Sequence, residues 1–590
     1  MSNPNDTDTR SRNGEPVYDV VVVGFGAAGA CAAIEAAESG ATVLVLDRFG
    51  GGGATAISGG IVYAGGGTGP QRAAGVTDTP QAMYDYLRHE VRDAVTPGTL
   101  RRFCEQSAGL LDWLTRHGVP FDSRLCPYKT SYPTNRHYLY VSGSERPPVP
   151  RGHRTHGRGT SGGLLYARLA EAARTAGAEV RTQTRALHLI THPSNARVVG
   201  VECRTLAGSP FWARAGHRLL HRLSVKPGVY LPGLGRTLHR AAAALEDRYG
   251  RPMRVTARSV ILAAGGFVFD HDMMRTHAPA YRGGLRLGTP GDDGSGIRLG
   301  AAAGGGTGHL DRVTVWRFIT PPSALLGGLL VDRDGHRVCD ESRYGAAVGE
   351  AVLRSPGGRA WLLVDAGVLA EARRQVRRQT LWFQRLQAWW MLSGGRVSAP
   401  TLDLVAQRAG VDPAGLAATV AAYRAAVLPG AAGSDGPDRA AAGDPAGKPA
   451  ELVRPLNRPP YSLIDVSIRA RRLPAPMLTL GGLTVDEDTG VVLRPDGTAV
   501  PGLYAAGRSA VGICSGAYVS GLSLADCVFS GRRAGHAAAQ ISRSTDAESI
   551  DPVRGAGRPV AAEHAGGPVE HAGGPVEHAG EEGPEHAHRR

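Results

Sequence analysis

The chain has 590 residues, 67 basic and 53 acidic side chains, and a formal charge of +14. That length exceeds one compact core and implies at least two domains. No apolar run is long enough to cross a bilayer as a helix, and residues 1–16 are polar, without a secretory leader. The seven cysteines are odd in number and form no C-x-x-C pair, which argues against structural disulfides or a zinc site and for a reducing, cytoplasmic setting. The excess arginine concentrates between Arg204 and Arg258, but no nucleic-acid motif accompanies it. An arginine-rich surface, or contact with an anionic membrane while collecting a lipophilic substrate, fits this charge better.

In chain order, the first strong signal is Tyr18 to Asp47. Val20–Val23 is a β-branched run of the kind buried on both faces of a parallel sheet. Gly24, Gly26 and Gly29 follow as G-x-G-x-x-G, then an Ala-rich helix, Gly40, a second apolar strand and Asp47. This β-α-β unit predicts a dinucleotide site. Gly24 makes the turn, Gly26 admits a pyrophosphate, Gly29 lets the helix approach the strand, and Asp47 accepts from ribose hydroxyls. An acid at position 47 favours FAD or NAD over NADP.

A second glycine-rich stretch, Arg48 to Thr68, is placed to run along the cofactor, with Ala54, Thr55 and Ser58 as donors. Thr79 and Pro80 mark a helix start, and residues 100–117 predict an amphipathic helix. Residues 136–158 read as a loop. A helix is expected over 164–176, and strands over 180–184 and 186–191. The V-V-G-V-E-C segment, residues 197–203, is expected to pair with 255–263. Between them lies a basic insertion, 206–254, either ordered or a flap.

Further on, R-S-V-I-L-A-A-G-G (258–266) is a strand returning beneath a dinucleotide, and T-P-G-D-D-G-S-G-I (289–297) is an acid-containing turn before a helix. Asp334-Gly335 predicts a hairpin. The aromatic segment 381–392 is expected to line an apolar pocket or fill a domain interface. Residues 428–448 read as a mobile loop. A strand-turn-strand spans 474–492, a short strand 502–507 and a helix 522–539. From residue 542 the chain is low-complexity, and a seven-residue repeat, E-H-A-G-G-P-V, which starts at Glu563 and again at Glu570, reads as part of a disordered tail in which metal binding by His564, His571 and His578 is not supported.

These landmarks, V-V-V-G-F-G-A-A-G, G-G-G-A-T-A-I-S-G-G-I, I-L-A-A-G-G-F, G-D-D-G-S-G-I and L-T-L-G-G-L…G-L-Y-A-A-G-R, resemble the flavoprotein family of fumarate reductases, succinate dehydrogenases and 3-ketosteroid dehydrogenases. The resemblance implies an α/β fold: a Rossmann-like FAD domain (17–303 and 463–541) interrupted by a substrate-capping domain (304–462). It implies FAD contacts at Ala28, Arg48, Gly59 and Gly60, at Ala186, at Ala264, Gly265 and Asp293, and at Gly507, Arg508, Ser523 and Leu524. Gly53 stands where succinate dehydrogenases carry their flavin-linking His, so the FAD is expected to be non-covalent.

Fumarate reductases carry a His and an Arg for a dicarboxylate before the last helix. Here Cys514 and Tyr518 fall on those positions, which removes the cationic clamp. Tyr518-Val519-Ser520 instead resembles the Tyr-x-Ser of 3-oxo-5α-steroid 4-dehydrogenases, and Tyr344 resembles the Tyr that these enzymes supply from the cap. The expectation is a dehydrogenase that makes a C=C bond next to a ketone of a steroid or similar apolar ring. Tyr518 would hold the ketone oxygen, Ser520 with Tyr344 would take the proton, and an external acceptor would take the electrons. The alternatives are a family reductase acting on another enone or an unsaturated acid, and a flavin-binding subunit without a substrate of its own.

Overall fold

The Val17–Val23 strand is the axis of an eight-stranded sheet, and Val20, Val21 and Val22 have no solvent exposure. The computed structural model describes residues 17–281, 283–427, 444–470 and 475–544. The tail, the polar N-terminus and most of the 428–448 loop lie outside the described residues. The strand pairs in parallel with Val43–Leu46 on one side and Arg251–Leu262 on the other. Glu179–Arg181 and Ala499–Ala505 extend the parallel core outward, and Val491–Leu493 closes it antiparallel. Continuous Val/Leu/Ile runs fit strands covered on both faces. One face, that of Val20 and Val22, is covered by the helices Ala27–Glu38 and Leu522–Ser544, which pack on each other through glycine: a Cβ on Gly531 would sit 2.4 Å from the Ala28 carbonyl oxygen, and one on Gly535 would sit 2.3 Å from that of Ala32. The other face, that of Val21 and Val23, packs with Val198, Val201, Phe267 and Ile297.

Val198–Thr205 pairs antiparallel with the long strand Arg251–Leu262 as expected, but with its start, residues 251–256, rather than along 255–263, because the second half of the strand is paired with the parallel core. The connection between them is an ordered helical hairpin, Phe211–Tyr230 and Pro232–Tyr249. It docks on the start of the glycine-rich stretch: Glu246 pairs with Arg48 at 2.9 Å, and His221 stacks on Phe49 with ring centroids 3.7 Å apart.

Residues 329–465 supply all four strands of a separate antiparallel sheet, in the order Leu329–Val331, Trp361–Val364, Tyr461–Asp465, Arg396–Ala399. Three features differ from the sequence reading. The 136–158 stretch is not all loop: Leu139–Tyr140 and Gly152–Arg154 join Ile61–Tyr63 in a small sheet, because Tyr138–Tyr140 is a run of aromatic and apolar side chains that buries on both sides. The Asp334-Gly335 turn exists, with Gly335 at φ 78°, but closes only a single bridge, Val331 to Arg337, since Asp332 spends its carboxylate on the turn's own N–H groups. The aromatic segment forms the helix Trp382–Leu392; Met391 and Leu392 turn into the core, yet Trp382 is 78% and Trp389 61% exposed, so its outer face lines no pocket.

Candidate active site

The glycine turn divides its labour as expected. Gly24 adopts φ 102°, and a Cβ there would lie 2.5 Å from the Ala263 carbonyl oxygen. A Cβ on Gly29 would lie 1.9 Å from the Gly24 carbonyl oxygen, so only glycine lets this helix close on its strand. Gly26 differs: the nearest atom to a Cβ there is the Thr55 hydroxyl at 3.5 Å, which leaves an open approach. Thr55 Oγ1 accepts from the Ala27 N–H at 3.0 Å. Among the described residues the Gly26 N–H meets no protein acceptor, whereas the Ala28 N–H faces the Cys527 thiol. A helix N-terminus with a spare donor at an open glycine fits a pyrophosphate.

Asp47 is less free than a simple ribose acceptor. Its Oδ1 accepts from the N–H groups of Phe49 (2.8 Å) and Gly51 (2.9 Å), and its Oδ2 from Phe25 (3.0 Å). The carboxylate ties the two glycine stretches together and keeps one lone pair on Oδ2 for a ribose hydroxyl. Arg48 is likewise engaged, with Glu246 and with Asp293 at 3.0 Å, and the Arg508 guanidinium pairs with Asp292. These arginines shape the cradle wall through their carboxylate partners. Ser58 Oγ donates to Thr55 O and accepts from Gly60 N, while Gly59 and Gly60 receive bonds from Tyr132, Ser161 and Thr155, so this part of the loop is braced from outside. Ala54 begins the short helix 53–57. Ala186 lies on the strand 184–191, with Cys203 as its register partner. Ala264 and Gly265 follow the return strand, with Ala264 against Gly24 and Gly265 (φ 86°) against Asp292. Gly507 N–H donates to Ser530, and Ser523 and Leu524 open the last helix, half-buried.

The second half of the site lies where that last helix begins. Tyr518 sits edge-on to Trp316 (centroids 4.7 Å) and nearly parallel to Tyr344 (6.5 Å); Phe318 packs on Tyr344 at 6.1 Å. Leu287, Ala346 and Leu478 complete this apolar cluster. Tyr344 caps the helix 345–354, and its N–H donates to Ser144 Oγ at 2.8 Å. Tyr518, Ser520 and Tyr344, read from distant motifs, are thus brought together.

Ser520 also has a partner that its motif does not announce. Its Oγ shares a 2.8 Å hydrogen bond with Tyr140 Oη, a buried phenol on the short strand 139–140. The run of strand-forming residues around Tyr140 is its one sequence signal. Tyr344 remains adjacent: burial raises its phenol pKa, and the Ser520 hydroxyl and Trp316 indole pull the other way. Burial also pushes Tyr140 and Tyr518 well above the ordinary phenol range. All three phenols are therefore neutral donors near neutral pH. Cys514, at the place of the fumarate reductase His, is buried and its thiol is pushed up by that burial.

A dinucleotide cradle leading to a cluster of neutral phenols and a serine defines the class: a flavin-dependent oxidoreductase acting on a polarised apolar ring. A model of the FAD binding domain family matches residues 19–521. The chain is 37% identical to a 3-oxo-5-alpha-steroid 4-dehydrogenase of Comamonas testosteroni, over 83% of this chain and 92% of that one. It is 28% identical to a 3-oxosteroid 1-dehydrogenase of Mycobacterium tuberculosis, with the same coverage of each. Among solved structures it is similar to a 3-ketosteroid-delta4-(5alpha)-dehydrogenase of Rhodococcus jostii in complex with 4-androstene-3,17-dione, with TM-score 0.72, 29% identity, and coverage of 90% and 99%. The chain belongs to the FAD-binding family of fumarate reductases and 3-ketosteroid dehydrogenases, on the steroid dehydrogenase branch, and FAD is its cofactor.

Proposed function

We propose that this steroid dehydrogenase introduces a C=C bond beside the ketone of a saturated 3-ketosteroid, between the carbon next to the ketone and its neighbour. The observation that carries the reading is the Tyr518, Ser520, Tyr344 and Tyr140 constellation against an aromatic wall. The FAD, when bound, supplies a hydride acceptor. Gly24, Gly26 and Gly29 with Asp47 would hold its adenosine and pyrophosphate end, and the residues from Gly507 to Leu524 its reactive end.

The chain's own groups handle the proton. The neutral Tyr518 phenol donates to the ketone oxygen and stabilises the charge that develops there. Ser520 takes the proton from the adjacent carbon as its own proton passes to Tyr140 or Tyr344, whose phenol hands its proton on towards solvent, and the hydride leaves the next carbon. A phenol kept neutral by burial seldom offers an acceptor, so turnover rises with pH on the alkaline side. The aromatic wall excludes water and fits flat rings. The same reading takes 304–462 as the cap over the substrate and requires an external electron acceptor to complete the cycle.

The test is anaerobic mixing of the FAD-loaded enzyme with a 5α-reduced 3-ketosteroid. The flavin absorbance bleaches and an α,β-unsaturated ketone appears. No bleaching with any ketosteroid, together with reduction of an unsaturated carboxylate by pre-reduced enzyme, would return the chain to the reductase side of the family.

A further inference from the structure

The aromatic helix Trp382–Leu392 is seated in the protein by one face only. Ala388, Met391 and Leu392 are buried, and Gln384 turns its Oε1 back to the Leu381 N–H. The other face carries Trp382, Leu386 and Trp389 at i, i+4 and i+7, with exposures of 78%, 72% and 61%, and Phe383 beside them. The rings of Trp382 and Phe383 meet edge-to-face at 5.9 Å. Four large apolar side chains on one helical face constitute a patch that a surface held in water does not favour.

The preceding helix, Ala366–Gln379, borders that patch and is basic. Arg373, Arg374, Arg377 and Arg378 are exposed, as is Arg385 on the aromatic helix itself. Glu371 is the single acid between Asp365 and Asp403, and it pairs with Arg374; this is the one ion pair on the two helices among the described residues. The remaining guanidinium groups meet no carboxylate there.

Tryptophan at the outer edge of an apolar stripe, flanked by arginine, matches the lipid–water boundary. The indole suits the headgroup level and the cations suit anionic lipid. A protein partner would require a matching acidic, apolar surface, whereas an anionic bilayer presents both features everywhere. We propose that these two helices dock the enzyme peripherally on an anionic lipid surface, with Trp382, Phe383, Leu386 and Trp389 entering the headgroup boundary and the arginines meeting the lipid phosphates. No helix among the described residues is long and apolar enough to cross a membrane, so the contact is superficial. This docking is independent of the steroid reading; a failure of steroid turnover leaves the vesicle result intact.

The experiment is flotation of the FAD-loaded full chain with phosphatidylcholine vesicles, with and without phosphatidylglycerol. Binding is expected only with the anionic lipid, with a blue shift of tryptophan emission and release by salt. The Trp382→Ser/Trp389→Ser variant and the Arg377→Glu/Arg378→Glu variant each lower partitioning about tenfold or more. Both keep the flavin spectrum and the wild-type turnover of a ketosteroid in detergent-free solution. Absence of binding overturns the proposal. So does binding that these variants leave unchanged, or a stable dimer in which Trp382 and Trp389 are shielded from aqueous quencher, since a second copy would then cover the face.

Discussion

At the scale of single residues, the glycines and the buried polar groups make separable claims. Gly29→Ala places a Cβ 1.9 Å from a backbone oxygen, so the variant loses about 3 kcal/mol or more and its thermal unfolding shows it. Gly26→Ala meets nothing nearer than 3.5 Å in the protein. It folds with the wild-type melting temperature without FAD, yet binds FAD at least tenfold more weakly, about 1.4 kcal/mol. In the phenol cluster, Tyr518→Phe removes one oxyanion donor and lowers kcat by about 10²–10³. Ser520→Ala removes the proton acceptor, at a loss of about 10²–10⁴. Tyr140→Phe keeps the ring but deletes the 2.8 Å bond to Ser520, so kcat falls and its alkaline pH profile flattens while KM stays near wild type. Stopped-flow flavin reduction reads all three. Asp526 offers a stability test. Burial raises its carboxyl to about 6, and one of its oxygens has no hydrogen-bond partner, while the other accepts from Cys514 N–H. A raised pKa means stability is full below the unfolded value and lost as pH rises through 6. Asp526→Asn therefore raises unfolding stability at pH 8, by a few kcal/mol at most, and loses that advantage progressively between pH 6 and about pH 4.

At the scale of elements, the insertion hairpin shows how a local ambiguity is settled by a partner. Its sequence is basic and broken by Pro and Gly, which left order or mobility open. The hairpin is ordered because His217 Nδ1 accepts from the Gln183 amide and its Nε2 donates to Glu246, and because Glu246 meets Arg48. Burial works against the Glu246 carboxylate, but the His217 hydrogen bond and Arg48 overcome it and hold its pKa at about 2. Burial lowers His221 to about 3 and His239 to about 4, with neighbouring cations adding to the effect. Both histidines favour the folded hairpin above pH 6.5, and that contribution is lost as pH falls through 4 and 3; the Glu246 contribution is lost below 4.5 in the same direction. Hydrogen exchange over residues 211–249 rises on acidification before the central sheet opens. His221→Phe, which keeps the stack on Phe49, shifts that opening to lower pH. The capped helices behaved differently. Thr79 and Pro80 start the helix 80–91 as the sequence specifies, since an N-cap is settled by atoms a few residues away.

At the scale of the whole molecule, binding should stabilise the fold by linkage. Free FAD at a hundred times its Kd adds about 2.7 kcal/mol, and a calorimetric scan of apo and loaded protein measures it. Loading Gly26→Ala at the same FAD concentration yields a smaller shift. The first β-α-β unit, the return strand, the antiparallel partner 198–205 and the order of landmarks were legible in the amino-acid sequence. Hydrophobic period, glycine spacing and capping act over a few residues, and chain order carries the family resemblance. The sequence by itself thus determined an FAD cradle and pointed to Tyr518, Ser520 and Tyr344. Tertiary structure alone decided that Ser520 bonds to Tyr140, 380 positions away, that Asp47 and Arg48 are partly spent on bracing the cradle, and that the aromatic helix faces outward. The physical reason is the same in each case: a side chain's partner, and the side of a helix that meets the core, depend on elements packed from distant parts of the chain.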